Sequence, residues 1–161
     1  MKLKRIPLQG TLEGTLDDAQ IDVVELADEM ITWRDNLAGT SLENTQKYSD
    51  VDEAAAALES VASDLESIDI PERLAGHPCH WIEEIPYGRR HAPSRSQRAA
   101  NISSSLQAVA SELRDSKLAE DETSNEAGMA ADELDDAGMA ADELDDAASR
   151  LGDVSFPGMY T

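Results

Sequence analysis

Three histidines and one cysteine fall within fifteen residues: His77, Cys79, His80 and His91. Imidazole and thiolate are the ligands zinc prefers, and four of them complete a tetrahedral structural site. The spacing His77-Pro78-Cys79-His80 matches no standard finger, and its two histidines flank the thiol closely. The plain alternative is a loop with exposed histidines and a partly buried thiol. Deaminase chemistry would need a His-x-Glu and a second cysteine pair, and both are missing.

A second chemistry is electrostatic. Ala127–Asp136 and Ala137–Asp146 are the same ten residues, Ala-Gly-Met-Ala-Ala-Asp-Glu-Leu-Asp-Asp, twice in a row. The tandem carries Asp132, Glu133, Asp135, Asp136, Asp142, Glu143, Asp145 and Asp146. From Glu120 to Asp146 there are twelve carboxylates and no Lys or Arg, in a chain of net charge -21. Twenty helical residues span about 30 Å, so eight charges give roughly one per 4 Å. One DNA strand carries one per about 3.4 Å. Such a helix can stand in for a nucleic-acid backbone before a basic cleft. The carboxylates are poor metal ligands, because neighbours on a helix point about 100° apart. No calcium-binding loop of the Asp-x-Asp-x-Asp-Gly type is present. Duplication by replication slippage accounts for the repeat without any function.

The opposite charge is concentrated at Arg89, Arg90, Arg95 and Arg98, ten residues without an acid. Such a patch can touch phosphate, but with this net charge, pairing with the chain's own acidic helices or with an acidic face of another copy is the simpler use. No Gly-rich phosphate loop, Gly-x-Ser-x-Gly elbow or His-Glu-x-x-His motif occurs. No enzyme is expected, and no cofactor apart from the zinc considered above.

These groups need elements to hold them. Leu16, Ala19, Val23, Leu26, Met30, Trp33 and Leu37 repeat at 3-4-3-4 spacing, a helical seam that Val24, Ala27 and Ile31 widen. Thr15 and Asp18 resemble a capping box, which starts this helix at Thr15, and Gly39 stops it. A second helix, from Leu42 or Ser49 to Ile68, carries Val51, Ala54, Leu58, Val61, Leu65 and Ile68. Pro71 ends it. Ser94 and Gln97 cap a third helix running to about Leu118, with Ala99, Ile102, Leu106, Val109 and Leu113 as its seam. Thr123 and Glu126 cap a fourth, running to about Leu151, with seam positions Ala127, Ala130, Leu134, Ala137, Ala141, Leu144, Ala148 and Leu151. A ten-residue repeat is seven plus three, so Leu134 and Leu144 occupy alternate positions of one seam while all eight carboxylates avoid it.

The expectation is an all-α protein: an antiparallel bundle of about four helices in two hairpins, 15–151. Residues 1–14 form an N-terminal arm or short edge strand, because Pro7 forbids a central one. Residues 69–93 form an irregular insert broken by Pro71, Pro78, Pro86 and Pro93. Within it, 72–75 make one helical turn, and Trp81, Ile82 and Ile85 suit a short strand beside the arm. Residues 152–161 form a flexible tail. Aromatics are 4% of the chain, so the core must be aliphatic and alanine-rich. No apolar run approaches the roughly 20 residues of a membrane span. The basic start lacks the apolar stretch of a signal peptide, and a single cysteine excludes an internal disulfide framework. A cytoplasmic protein is expected, in a host cell or virion if it is viral.

Trp33-Arg34-Asp35-Asn36-Leu37, with Thr45-Gln46-Lys47-Tyr48 and the alanine-rich helix that follows, resembles small uncharacterised helical proteins of tailed phages over residues 15–68. The short, acidic, helical profile is also similar in composition to phage anti-restriction DNA mimics and some anti-CRISPR proteins. That resemblance implies an inhibitor occupying a basic DNA- or RNA-binding surface of a host protein. The charge excludes direct binding to nucleic acid or anionic lipid. Two other readings remain: an assembly protein that oligomerises through its seams, and a halophile's bundle whose acidity serves solvation.

Overall fold

The computed structural model describes residues 2–87, 93–122 and 131–157, without the side chains of 117–122 and 131–134. In chain order the elements are β1 (Leu3–Thr11), α1 (Leu12–Leu37), α2 (Gln46–Glu66), α3 (Glu72–Ala75), β2 (Pro78–Pro86), α4 (Arg95–Glu122) and α5 (Ala131–Asp153). The four long helices form a ring in which α1 packs on α2, α2 on α5, α5 on α4, and α4 on α1. The fold is therefore mixed rather than all-α, since the arm and the insert pair as an antiparallel ribbon from Leu3↔Pro86 to Thr11↔Pro78.

The insert is not irregular because its prolines sit where a strand tolerates them. Pro78 and Pro86 are the first and last residues of β2, and each strand of a two-stranded ribbon is an edge. Between them, Cys79, Trp81, Glu83 and Ile85 share one face, and His80, Ile82 and Glu84 share the other. The one-turn helix over 72–75 and the strand through Trp81, Ile82 and Ile85 lie where the sequence pattern put them.

The first helix starts earlier than Thr15. β1 passes into α1 without a loop, and the Thr11 hydroxyl caps the helix by accepting from the Gly14 N–H at 3.0 Å. The Leu12 N–H donates to the His77 carbonyl at 2.9 Å, which holds that corner to the start of β2. Thr15 is thus an interior helical residue, 3% exposed. At the far end Gly39 takes φ +77°, the left-handed conformation that ends helices. Ser94 caps α4 as expected, accepting from the Gln97 N–H.

The core is aliphatic. Leu12, Leu26, Met30, Leu58, Leu65, Leu106, Leu113, Leu144 and Leu151 are its largest fully buried side chains. Ala137, Ala140, Ala141, Ala147 and Ala148 of α5 are buried beside them. Within the expected α5 seam, Ala137, Ala141, Leu144, Ala148 and Leu151 are buried; Ala127 and Ala130 lie outside the described residues. Val24, expected to widen the α1 stripe, is instead exposed, while Ala27 is buried. Val154 and Phe156, beyond α5, are partly buried against the core.

Each contact around the ring carries an arginine pair. Arg34 joins α1 to Asp52 of α2 at 3.2 Å, and Arg150 joins α5 to Asp64 of α2 at 2.6 Å. Arg114 joins α4 to Asp142 and Asp145 of α5. Arg95 and Arg98 of α4 both grip Glu29 of α1, at 3.0 and 2.7 Å. Desolvation pushes the Glu29 pKa up, but hydrogen bonds from Arg98 and Arg95 outweigh it and hold the carboxyl below its ordinary value.

The ribbon is tied to α4 by one buried amide. Asn101 Nδ2 donates to the Glu84 carbonyl and its Oδ1 accepts from the Glu84 N–H, both at 2.9 Å. The side chain thus supplies the partner that a third strand would give to the edge of β2. Asn101→Ala should cost about 2 kcal/mol, since two hydrogen bonds and a buried contact are lost together. Chemical denaturation measures the loss. Amide exchange should accelerate at Glu84 before it does in α4.

Candidate functional site: two acidic surfaces

The duplicated segment is helical over all its described residues, and its described carboxylates, from Asp135 to Asp146, face outward from the buried alanines. Asp135, Asp136 and Glu143 are exposed and form no ion pair among the described residues. The side chains of Asp132 and Glu133 lie outside that description. The other three acids are engaged: Asp142 and Asp145 with Arg114, and Asp146 at 3.7 Å with Arg150, which also holds Asp64 of α2. Asp64, Asp142, Glu143 and Asp146 line a shallow groove between α2 and α5. The ladder is therefore broken into paired and unpaired carboxylates rather than uniformly bare.

The α1 acids Asp18, Asp22, Glu25 and Glu29 do not extend this ladder. α1 and α5 occupy diagonal corners of the ring, each packed on α2 and α4. Glu29 is consumed by its two arginines. Asp18, Asp22 and Glu25 instead line a cleft under the ribbon, facing Glu83 of β2.

That cleft encloses about 560 Å³ between α1, α4 and the ribbon. Residues 15, 18, 19, 22 and 25 recur at helical spacing along its α1 wall, and Trp81, Glu83 and Ile85 alternate along β2. Gly10 lets the ribbon come close: a Cβ there would meet Thr15 Oγ1 at 3.1 Å and the Trp81 ring at 3.6 Å. Partial withdrawal from water pushes the Asp22 pKa up, and Glu25, Asp18 and Glu83 push it further, against a smaller opposing pull from Arg98.

The His/Cys group does not converge. Cys79 is fully buried in the core, and burial followed by the Glu112 carboxylate pushes its thiol up to about 11, so it stays protonated at neutral pH. His80, the next residue along the strand, faces the other side of the ribbon and is exposed. His77 lies 3.3 Å from Glu112. His91 falls outside the described residues. Among the described residues no three His, Cys, Asp or Glu side chains are placed to hold a metal ion. The tetrahedral arrangement considered from the sequence is thus not formed by His77, Cys79 and His80, and alternation along β2 sends Cys79 and His80 to opposite faces of the ribbon.

Of the basic patch, Arg95 and Arg98 pair with Glu29, as the charge balance suggested, while Arg89 and Arg90 lie outside the described residues. Trp33 packs half-buried against the core, with Arg95 at 5.3 Å and Lys47 at 5.7 Å from its ring. No helix among the described residues is long and apolar enough to cross a membrane. Comparison with known proteins returned no matching family model, curated protein or solved structure.

The raised Asp22 pKa fixes a sign. The native state holds its proton to higher pH than the unfolded chain does, so stability falls as pH rises from about 3.8 through the raised value. Asp22→Asn should therefore stabilise the protein at pH 7, by less than about 1 kcal/mol given solvent screening. The gain should vanish below pH 3.8. Thermal melts of both forms across pH 3–7 check it.

Proposed function

We propose that this chain is a non-enzymatic acidic interaction protein whose α2–α5 side docks on a basic protein surface. In its specific form, the partner is a nucleic-acid-binding protein whose phosphate-binding surface the carboxylates occupy. The observation that carries this reading is the set Asp135, Asp136 and Glu143, unpaired among the described residues and spread along an α5 that the buried alanine seam holds to the bundle. Rigid presentation matters, because charges already fixed in space lose little freedom on docking. The arginine pairs at Asp142, Asp145 and Asp146 confine the bare charge to part of the helix, which favours a partner with a limited basic patch over a long duplex-binding channel. The resemblance in composition to acidic phage inhibitors points the same way.

The test is capture on the immobilised protein from bacterial lysate, beside a variant carrying Asp135→Asn, Asp136→Asn and Glu143→Gln. The native chain should retain nucleic-acid-binding proteins that added duplex DNA releases. The variant should retain about tenfold less, since three charge contacts are lost, with unchanged circular dichroism. Recovery of only the chain itself, with a defined oligomer by light scattering, would establish the assembly reading instead. Unfolding at low salt without specific retention would establish the halophile reading.

A further inference from the structure

The cleft under the ribbon lies outside the α2–α5 surface and does not depend on it. Asp18, Asp22, Glu25 and Glu83 bring four carboxylates to its walls, and none has an ion-pair partner among the described residues. The cation that also lines the cleft, Arg98, is already committed to Glu29 at 2.7 Å. Like charges set this close repel, and a fold gains nothing from them unless something positive enters.

The second observation is independent of charge. Thr15, 3% exposed, lines the same cleft, and its Oγ1 is buried with no hydrogen-bond partner. Trp81 lines it too. Buried polar groups are almost always satisfied, so the unpartnered Thr15 oxygen in the wall of the cleft marks a place where a donor belongs. The remaining lining is apolar: Leu8 and Ile85 of the ribbon, Ala19 of α1 and Ile102 of α4. About 560 Å³ is within the size range of small-molecule sites.

We propose that this cleft binds an organic ammonium group on an alkyl chain, its charge held by Asp18, Asp22, Glu25 and Glu83 and one N–H donated to Thr15 Oγ1. An ammonium has three donors and no acceptor, which suits a site of carboxylates and an unpartnered hydroxyl oxygen. The methylenes lie on the apolar lining. Asp18 and Asp22 are about 6 Å apart along the helix axis, and Asp18 and Glu25 about 10 Å, so a chain with more than one ammonium finds carboxylates at successive turns. Two sources share this chemistry: a free linear polyamine, and the lysine side chains of a partner protein.

Calorimetry and NMR titration of the full chain in 0.15 M NaCl, with spermidine and with an acetylated, amidated tri-lysine peptide, separate them. The tighter probe identifies the source. The Trp81 indole N–H resonance, assigned with Trp81→Phe, should shift on saturation while that of Trp33 stays in place. Since any chain this acidic attracts polycations, two double variants of equal charge change are compared. Asp22→Asn with Glu83→Gln should weaken binding by about tenfold or more, and the remote pair Glu59→Gln with Glu66→Gln, exposed on α2, by less than about twofold. Thr15→Val, which keeps the side-chain shape, should weaken it by about threefold. Equal weakening by the two double variants, a stationary Trp81 indole, or no saturation with either probe would overturn the proposal.

Discussion

An alanine-rich aliphatic seam, closed against the mutual repulsion of a chain with net charge -21, is the constraint on which everything else rests. The attraction is burial of apolar surface, which is non-directional and proportional to area. With one phenylalanine and two tryptophans the chain has few large side chains to spend on it. It relies on leucines filling space between close helices instead, and Ala137, Ala140, Ala141, Ala147 and Ala148 permit that approach on α5. A larger residue at any of these would push α5 away from its neighbours and open the layer of leucines beneath it.

Burial alone does not choose which helix sits beside which. The arginines bias that choice: Arg34, Arg150, Arg114 and the pair Arg95 and Arg98 each cross a different contact of the ring. An exposed pair of this kind contributes at most about 1 kcal/mol. Yet every pair also removes a bare carboxylate from beside its neighbours, which matters more in an acidic chain than in a balanced one. The excess of arginine over lysine has a structural use here, because the planar guanidinium reaches two carboxylates at once, as Arg114 and Arg150 do.

The same arrangement divides the remaining acidity. One set of bare carboxylates lies on α5, projecting to solvent. The other is folded into a cleft, where the ribbon is held over α1 and α4 by Asn101. The first suits a surface partner and the second a small or narrow cation. Helix diagonals keep them apart, so a change on one side leaves the other's charges in place.

The four long helices, the seams of Leu, Val and Ala, the Ser94 cap and the Gly39 stop were legible in the sequence, because amphipathic periodicity and capping are local and repeat along one element. The outward placement of Asp135, Asp136 and Glu143 followed from the same periodicity. The ribbon was only half legible: Pro78 and Pro86 read as breakers until pairing with Leu3–Thr11 showed that they bound a strand. Strand pairing joins residues between 67 (Thr11↔Pro78) and 83 (Leu3↔Pro86) positions apart, and no local pattern records a partner at that distance. Which carboxylates stay bare was decided only in three dimensions, since a charge on one helix is neutralised by an arginine on another. The convergence of Thr15, Asp22 and Glu83 on one cleft has the same origin, because it required the ribbon to cross a helix pair whose register the sequence does not encode locally.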